Sequence, residues 1–276
     1  MAHVGSAVAS GDSGFLTRET DAEYREQSKT RLTSHALADF RKCPQLYRKK
    51  KEGLIPDEDR PSFALGRAAH VLILEHADPF NRLYVISDGP INDRTGKAFG
   101  KDTIAYREWK DALKGKEPIS WADYELVSDM ADGVCAHPVA VSLLEQGQAE
   151  GVVRAEYCGV PCQSRLDWFD PQRGIVDLKS CDDLTWFEAD ARRFGYAHQV
   201  AFYQAMIERA TGETVPVHMV AVEKREPFRC GVWLVQEQAL RLARLDNESA
   251  IGRLKQCEKT GVWPTGYEER RVFDFL

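Results

Sequence analysis

The chain has 276 residues and 43% apolar content, enough for a sizeable core in one large domain or two small ones. Its formal net charge of -6 argues against a generally basic nucleic-acid coat. It leaves a DNA enzyme open, because the distribution of charge matters more than its sum. No apolar run reaches membrane-spanning length, and the N-terminus has neither the basic start nor the apolar core of a secretory signal. Seven cysteines, Cys43, Cys135, Cys158, Cys162, Cys181, Cys230 and Cys257, are an odd number in a chain that is not small. They read as free thiols of a cytoplasmic protein rather than as a disulfide framework.

Taken in order, positions 1 to 30 read as a loose arm of Gly, Ser and charged residues with little periodicity. "LTSHALADFRKCPQLYRKK" predicts a helix from about 34 to 50, capped by Thr33 or Ser34, with Pro44 able to divide it. Its basic run, Arg41 to Lys51, is either a solvated helix face or a surface for phosphate or a partner. "SFALGRAAHVLILEH", 62 to 76, predicts a second helix. Positions 77 to 120 hold turns and one polar helical piece, read as an insertion or bridge, and one or two helices follow up to about 148. From 151 the pattern changes to a three-strand meander with turns at Cys158-Gly159 and "DPQRG". A long helix from about 185 to 210 follows, with Gly212 at its exit. Two strands, "VPVHMVAVEK" and "CGVWLV", and a helical tail from 236 to 259 complete the chain. The expected fold is α/β, a mostly antiparallel central mixed sheet flanked by helices. A single domain over 31–276 is expected, with the helical insertion at about 77–148.

"GIVDLKS" places two charges on an apolar strand. Alternation puts Asp177 and Lys179 on one face with Ile175, and Val176 and Leu178 on the other. A tight turn at 170–174 pairs Phe169 with Ile175, and then Asp167 with Asp177. Directly opposed residues have Cβ atoms about 4.5–5.5 Å apart, and like charges there repel. Lys179 can neutralise one carboxylate as a structural salt bridge. A hard divalent cation such as Mg²⁺ can neutralise both, with the Leu178 carbonyl as a further ligand. A two-residue turn at Cys158-Gly159 pairs Tyr157 with Val160 and lets Arg154, Glu156, Arg165 and Asp167 share the reactive face. Glu156 is then a ligand, a water-orienting group, or a partner of Arg165. His70, among Ala and Leu, reads as a core histidine or as a ligand. Gln199 and Tyr203 share a helix face and either bind the site or pack the helix on the sheet.

Together these residues resemble the PD-(D/E)xK nuclease superfamily, and more narrowly its RecE-like, exonuclease VIII-like branch, related to RecB-type nuclease domains. "LTSHALADFRKCPQLYRKK" resembles the family's first helix. "GRAAH" resembles its Gly-x-x-x-His motif at Gly66 and His70. "RLDWFD" and "GIVDLKS" supply Asp167 and the Asp177–Lys179 pair, and "QVAFY" resembles the Gln-x-x-x-Tyr motif at Gln199 and Tyr203. The motifs span roughly 32 to 205 in the family order. Leu166, not Pro, precedes Asp167.

The resemblance implies a restriction-endonuclease-like core with His70, Asp167, Asp177 and Leu178 at the metal, Lys179 catalytic, and Gln199, Tyr203 and Arg165 near substrate. Glu156 is placed less securely by the pattern. It implies phosphodiester hydrolysis with Mg²⁺ (or Mn²⁺), two ions per site. The substrate implied is linear double-stranded DNA, degraded 5′ to 3′ to leave a 3′ single strand for recombination. It also implies a ring-like homo-oligomer and a single-strand annealing protein as partner. The alternatives are a structure-specific or single-strand nuclease with the same metal core, and a non-catalytic DNA-binding module. Cys230 and Cys257 stand apart, so no iron–sulfur cluster is expected. No Walker A motif marks an ATP-driven helicase.

Overall fold

The computed structural model describes residues 15–56 and 61–272. Most of the first half of the expected loose arm, positions 1–14, lies outside the described residues. The second half is not loose. Thr17 pairs with Val152, and helix α1 (Asp21–Ser28) opens on a capping box in which Thr20 and Glu23 satisfy each other's backbone amides. Local capping there outweighs the missing apolar period.

The expected first helix is two helices. α2 (Ser34–Lys42) starts on the Thr33 side chain, which accepts from the Ala36 amide. It stops at Cys43, whose extended backbone is the conformation that a following proline favours. α3 (Pro44–Lys51) then begins with Pro44 in its first turn, where a missing N–H costs nothing. α4 (Pro61–His70) ends at His70 and runs into a π-helical turn, Val71–Glu75. Such wide turns recur at functional sites.

Residues 77–148 form α5 (Ala77–Leu83), β1 (Tyr84–Ile86), β2 (Ile91–Asn92), β3 (Lys97–Ala98), α6 (Ile104–Ala112), β4 (Glu117–Ile119), α7 (Trp121–Cys135) and α8 (Pro138–Leu143). β1 pairs with β4 in parallel, and β2 with β3 antiparallel. α6 buries no residue. α7 and α8, by contrast, bury Val127, Met130, Val134, Ala140 and Leu143.

The central sheet has five strands in the order β5 (Gln148–Tyr157), β6 (Val160–Asp170), β7 (Gly174–Cys181), β8 (Val217–Glu223) and β9 (Cys230–Leu234). Only the β7–β8 pairing is parallel. That pairing requires a crossover, supplied by a 3₁₀ turn (Leu184–Trp186), α9 (Phe187–Phe194) and α10 (Tyr196–Thr211). The expected single helix breaks at Gly195, whose φ of 72° closes α9 with a left-handed residue. α11 (Glu237–Thr260) completes the fold.

The sheet is buried on both faces, so the molecule is three-layered. On one face Leu37, Phe40, Val200, Phe202, Met206, Ile251 and Leu254 pack against Val153, Leu166, Ile175 and Val217. On the other, Ala68, Ala69, Ile73, Met130 and Val134 pack against Trp168, Val176, Leu178 and Val220. This is the expected α/β architecture, and it explains why the β7 and β8 sequences are almost continuously apolar.

Candidate functional site

The meander has the expected registers. Tyr157 opposes Val160 across the Cys158-Gly159 turn, and Phe169 opposes Ile175 across the 170–174 turn. The β6–β7 ladder ends at Trp168–Val176, one pair before Asp167 and Asp177. Beyond that pair the strands are no longer laddered. Asp167 spans the opening with its side chain: Oδ2 accepts from the Leu178 amide at 2.8 Å.

A second distortion faces this one. Leu166 and Trp168, two apart, would share a face of a regular strand, yet they pack into opposite cores. Ala149 and Val153, four apart, also divide between the two cores. The inversion falls at Glu150, which has a left-handed φ of 54° within β5. Such backbone is rare outside glycine and clusters at functional positions. It swings Glu150 to the opening at Asp167.

His70 arrives from the other side. Ala68 and Ala69 are buried in the second core and bring the last turn of α4 close to the sheet. His70 Nδ1 lies 3.8 Å from Asp167 Oδ2. His70, Glu150 and Asp167 each offer a ligand atom, all within 4.8 Å of one another. This His/Glu/Asp cluster is capable of coordinating one metal ion.

Asp177 and Lys179 stand beside it on β7. Asp177 is 0% exposed, and neither carboxylate oxygen has a well-aligned hydrogen-bond donor among the described residues. Lys179 Nζ approaches Asp177 Oδ2 to 2.6 Å and lies 5.0 Å from the centre of the Tyr196 ring. On α10, Gln199 Nε2 donates to the Tyr203 hydroxyl at 2.8 Å.

Charge is crowded here. Burial, reinforced by Asp167, pushes the Glu150 carboxyl up to about 7 against the opposing pull of Arg165. Burial also raises Asp177; Lys179 opposes and Asp167 adds to the rise. Burial alone would depress Lys179, but the Asp177 and Asp167 carboxylates outweigh it and hold the ammonium charged. Burial, with the same two carboxylates, keeps the Tyr203 phenol well above its ordinary value and therefore protonated. Clustered carboxylates, with Asp177 Oδ1 buried and unpartnered among the described residues, and one imidazole form a donor set suited to a divalent cation.

Two expected placements need correction. Glu156 is exposed, opposite Pro161 near the turn. It lies six residues along β5 from Glu150, roughly 20 Å at strand rise. The expected shared face ignored the inversion between them. Nor does Arg165 pair with Glu156. Its Nε lies 2.9 Å from Glu150 Oε2, its Nη2 donates to Asp21 at 3.1 Å, and it stacks over Tyr24 at 4.8 Å. Arg154 is held by Glu19. Sequence reasoning began the strand at 151 and missed Glu150. Extending the Tyr157–Val160 register back along the hairpin sets Glu150 opposite Asp167, so the signal was present.

The basic run near α3 is largely compensated within the fold. Lys50 pairs with Asp39, Arg48 with Glu52, and Lys51 with Glu258. Arg41 donates to Asn247.

The family described as "PDDEXK-like domain of unknown function (DUF3799)" matches residues 34–273. A crystal structure from Eubacterium rectale, described as a "Putative exonuclease", superposes with a TM-score of 0.68 at 17% identity, covering 94% of this chain and 96% of that one. At that identity the likeness speaks for the fold. No curated protein matches the chain. The chain belongs to the PDDEXK-like family of unknown function, and so to the PD-(D/E)xK-like nuclease superfamily.

Proposed function

We propose that the chain is a metal-dependent exodeoxyribonuclease acting on linear double-stranded DNA from 5′ to 3′. The observation that carries the hydrolytic reading is the meeting of His70, Glu150 and Asp167 with the ion pair of buried Asp177 and half-buried Lys179 at the opened end of β6–β7. His70, Glu150, Asp167 and Asp177 would hold the cation, with the Leu178 carbonyl as a backbone ligand; a second ion rests on the family resemblance. When bound there, Mg²⁺, or Mn²⁺ in its place, would supply Lewis-acid charge at the scissile phosphate and lower the pKa of the attacking water.

The chain's own groups do the rest. Lys179, kept charged by Asp177, orients the water and stabilises negative charge developing on the phosphoryl oxygens. Tyr196 fixes the ammonium from one side. Gln199 and Tyr203 line the substrate side, and the protonated Tyr203 hydroxyl is available as a donor. Arg165 positions Glu150 rather than touching DNA, because two carboxylates already engage its guanidinium. Water attacks phosphorus, the bond to the 3′-oxygen breaks, and that oxygen takes a proton. The products are a 5′-phosphate and a 3′-hydroxyl.

Polarity, a ring-shaped homo-oligomer and an annealing-protein partner rest on the RecE-like order of motifs, and a cytoplasmic location on the free cysteines. Among the described residues no helix is long and apolar enough to cross a membrane. The test is digestion of linear duplexes labelled at the 5′ or 3′ end, with and without Mg²⁺, beside a closed circle. Early metal-dependent loss of the 5′ label with intact circles is expected. Cutting of circles would favour a structure-specific nuclease, and 3′-first loss would reverse the polarity. Binding without any cleavage would leave a non-catalytic module.

A further inference from the structure

A line of aromatic rings leads from Lys179 to the surface. Lys179 Nζ lies 5.0 Å from the Tyr196 ring centre, and the Tyr196 ring lies 5.9 Å from that of Phe194, tilted by 30°. Beneath them, Phe187 is buried and anchors Tyr196 at 6.3 Å. Phe194 is different: it is 57% exposed, on the last turn of α9. The Arg193 guanidinium sits 5.3 Å from its ring centre and makes no ion pair with a described residue.

A singly exposed apolar residue is ordinary. An exposed ring joined through another ring to the half-buried Lys179, with an exposed arginine beside it, has a specific chemical complement. A flat apolar face beside a cation matches a nucleobase next to its phosphate. Base–aromatic stacking with an arginine alongside is how proteins hold single strands. Within a duplex the base faces are already covered by their neighbours. Only a nucleotide released from pairing has a face to offer.

We propose that Phe194 and Arg193 form a stacking ledge for an unpaired nucleotide next to the scissile phosphate, guiding a freed strand end toward Lys179. This rests on the nuclease reading above and adds to it a preference for unpaired ends. The left-handed Gly195 sets the ledge, since it ends α9 and turns the chain so that Phe194 and Tyr196 lie ring to ring.

The test is equilibrium binding in Ca²⁺ by the full chain and by Phe194→Ala and Phe194→Trp. The probes are a fluorescent duplex with a short unpaired extension, the same duplex with abasic sites in that extension, and a relaxed, covalently closed circular duplex. Phe194→Ala should weaken binding of the extended duplex by about ten-fold, the scale of one lost base stack. Phe194→Trp should retain it. Abasic sites should reproduce the loss in the wild type and add little in Phe194→Ala. The closed duplex should change little. Wild-type binding of the extended duplex by Phe194→Ala would overturn the ledge, as would an equal loss on the closed duplex. If the wild type cleaves DNA in Mg²⁺ while Phe194→Ala binds normally, the ledge fails alone. If the wild type neither binds nor cleaves DNA, the nuclease reading fails and the ledge with it.

Discussion

Glu150 and Glu156 carry the same carboxylate on the same strand, and only the first reaches Asp167 and His70. The left-handed backbone at Glu150 makes the difference, because it reverses the side-chain alternation between the two positions. Calorimetric titration with Mn²⁺ should separate them. Glu150→Gln is expected to weaken binding by at least ten-fold, the scale of a lost charged ligand, while Glu156→Gln titrates like the wild type. The reverse result would return the glutamate's role to 156. In the proposed reaction Lys179, itself a cation, acts on the phosphate and water rather than on the metal. Lys179→Ala should bind DNA in Ca²⁺ as the wild type does and lower single-turnover cleavage in Mg²⁺ by about 100-fold or more. Near-normal cleavage would remove it from the chemistry. At this scale Asp167, Asp177 and Lys179 were legible in the sequence, because two short turns fix the hairpin registers. Glu150 was missed because the strand was begun at 151, although the register of the Cys158-Gly159 turn, carried back, sets it opposite Asp167; only its left-handed backbone was beyond the reach of alternation.

At the scale of elements, the site exists because β6 and β7 part after Trp168–Val176 while β7 stays laddered to β8 through Cys181. Gly174 secures the other end of β7. With φ at 89°, a Cβ there would meet the Pro216 carbonyl oxygen at 2.0 Å. Gly174→Ala should therefore cost about 2 kcal/mol or more in urea unfolding, and an unchanged midpoint would refute the close approach. Beyond β7, Asp183 receives the Thr185 amide and ion-pairs with Arg225 and Arg229, and Arg229 also holds the buried Glu223. Those contacts, led by the Thr185 amide, pull Asp183 down to about 2. Arg229 likewise lowers Glu223. A depressed carboxyl contributes stability above its unfolded value of about 4 and loses it as pH falls through the folded value. The melting temperature should thus drop between about pH 4 and about pH 2, less steeply in Asp183→Asn. Equal slopes would show that this network carries no acid-range stability. The crossover helix was expected whole, and the break was carried by Gly195 alone. A lone glycine inside an apolar-periodic stretch does not announce a left-handed turn.

For the molecule as a whole, the site is assembled from both outer layers: His70 from a helix on one face of the sheet, Gln199 and Tyr203 from a helix on the other. The order of sheet and helices was readable from runs of apolar residues and turn chemistry. The meeting of α4 with the hairpin was not, because no local pattern encodes contact across about 100 residues, and the motif resemblance alone pointed to it. The N-terminal segment was likewise illegible as cover: Glu19 engages Arg154, and α1 lies over Gln163 and Arg165, through polar contacts that leave no hydrophobic period. The net charge of -6 accords with the pairing of Arg48, Lys50 and Lys51 of the basic run to acidic neighbours. The central claim, that His70, Glu150 and Asp167 form a metal centre beside Asp177, is tested most directly by anomalous diffraction from Mn²⁺-soaked crystals of the wild type and of Asp167→Ala. The account predicts a strong peak bonded to His70, Glu150 and Asp167 in the wild type and lost in the variant. A well-occupied Mn²⁺ elsewhere, with these three side chains bare, would contradict it.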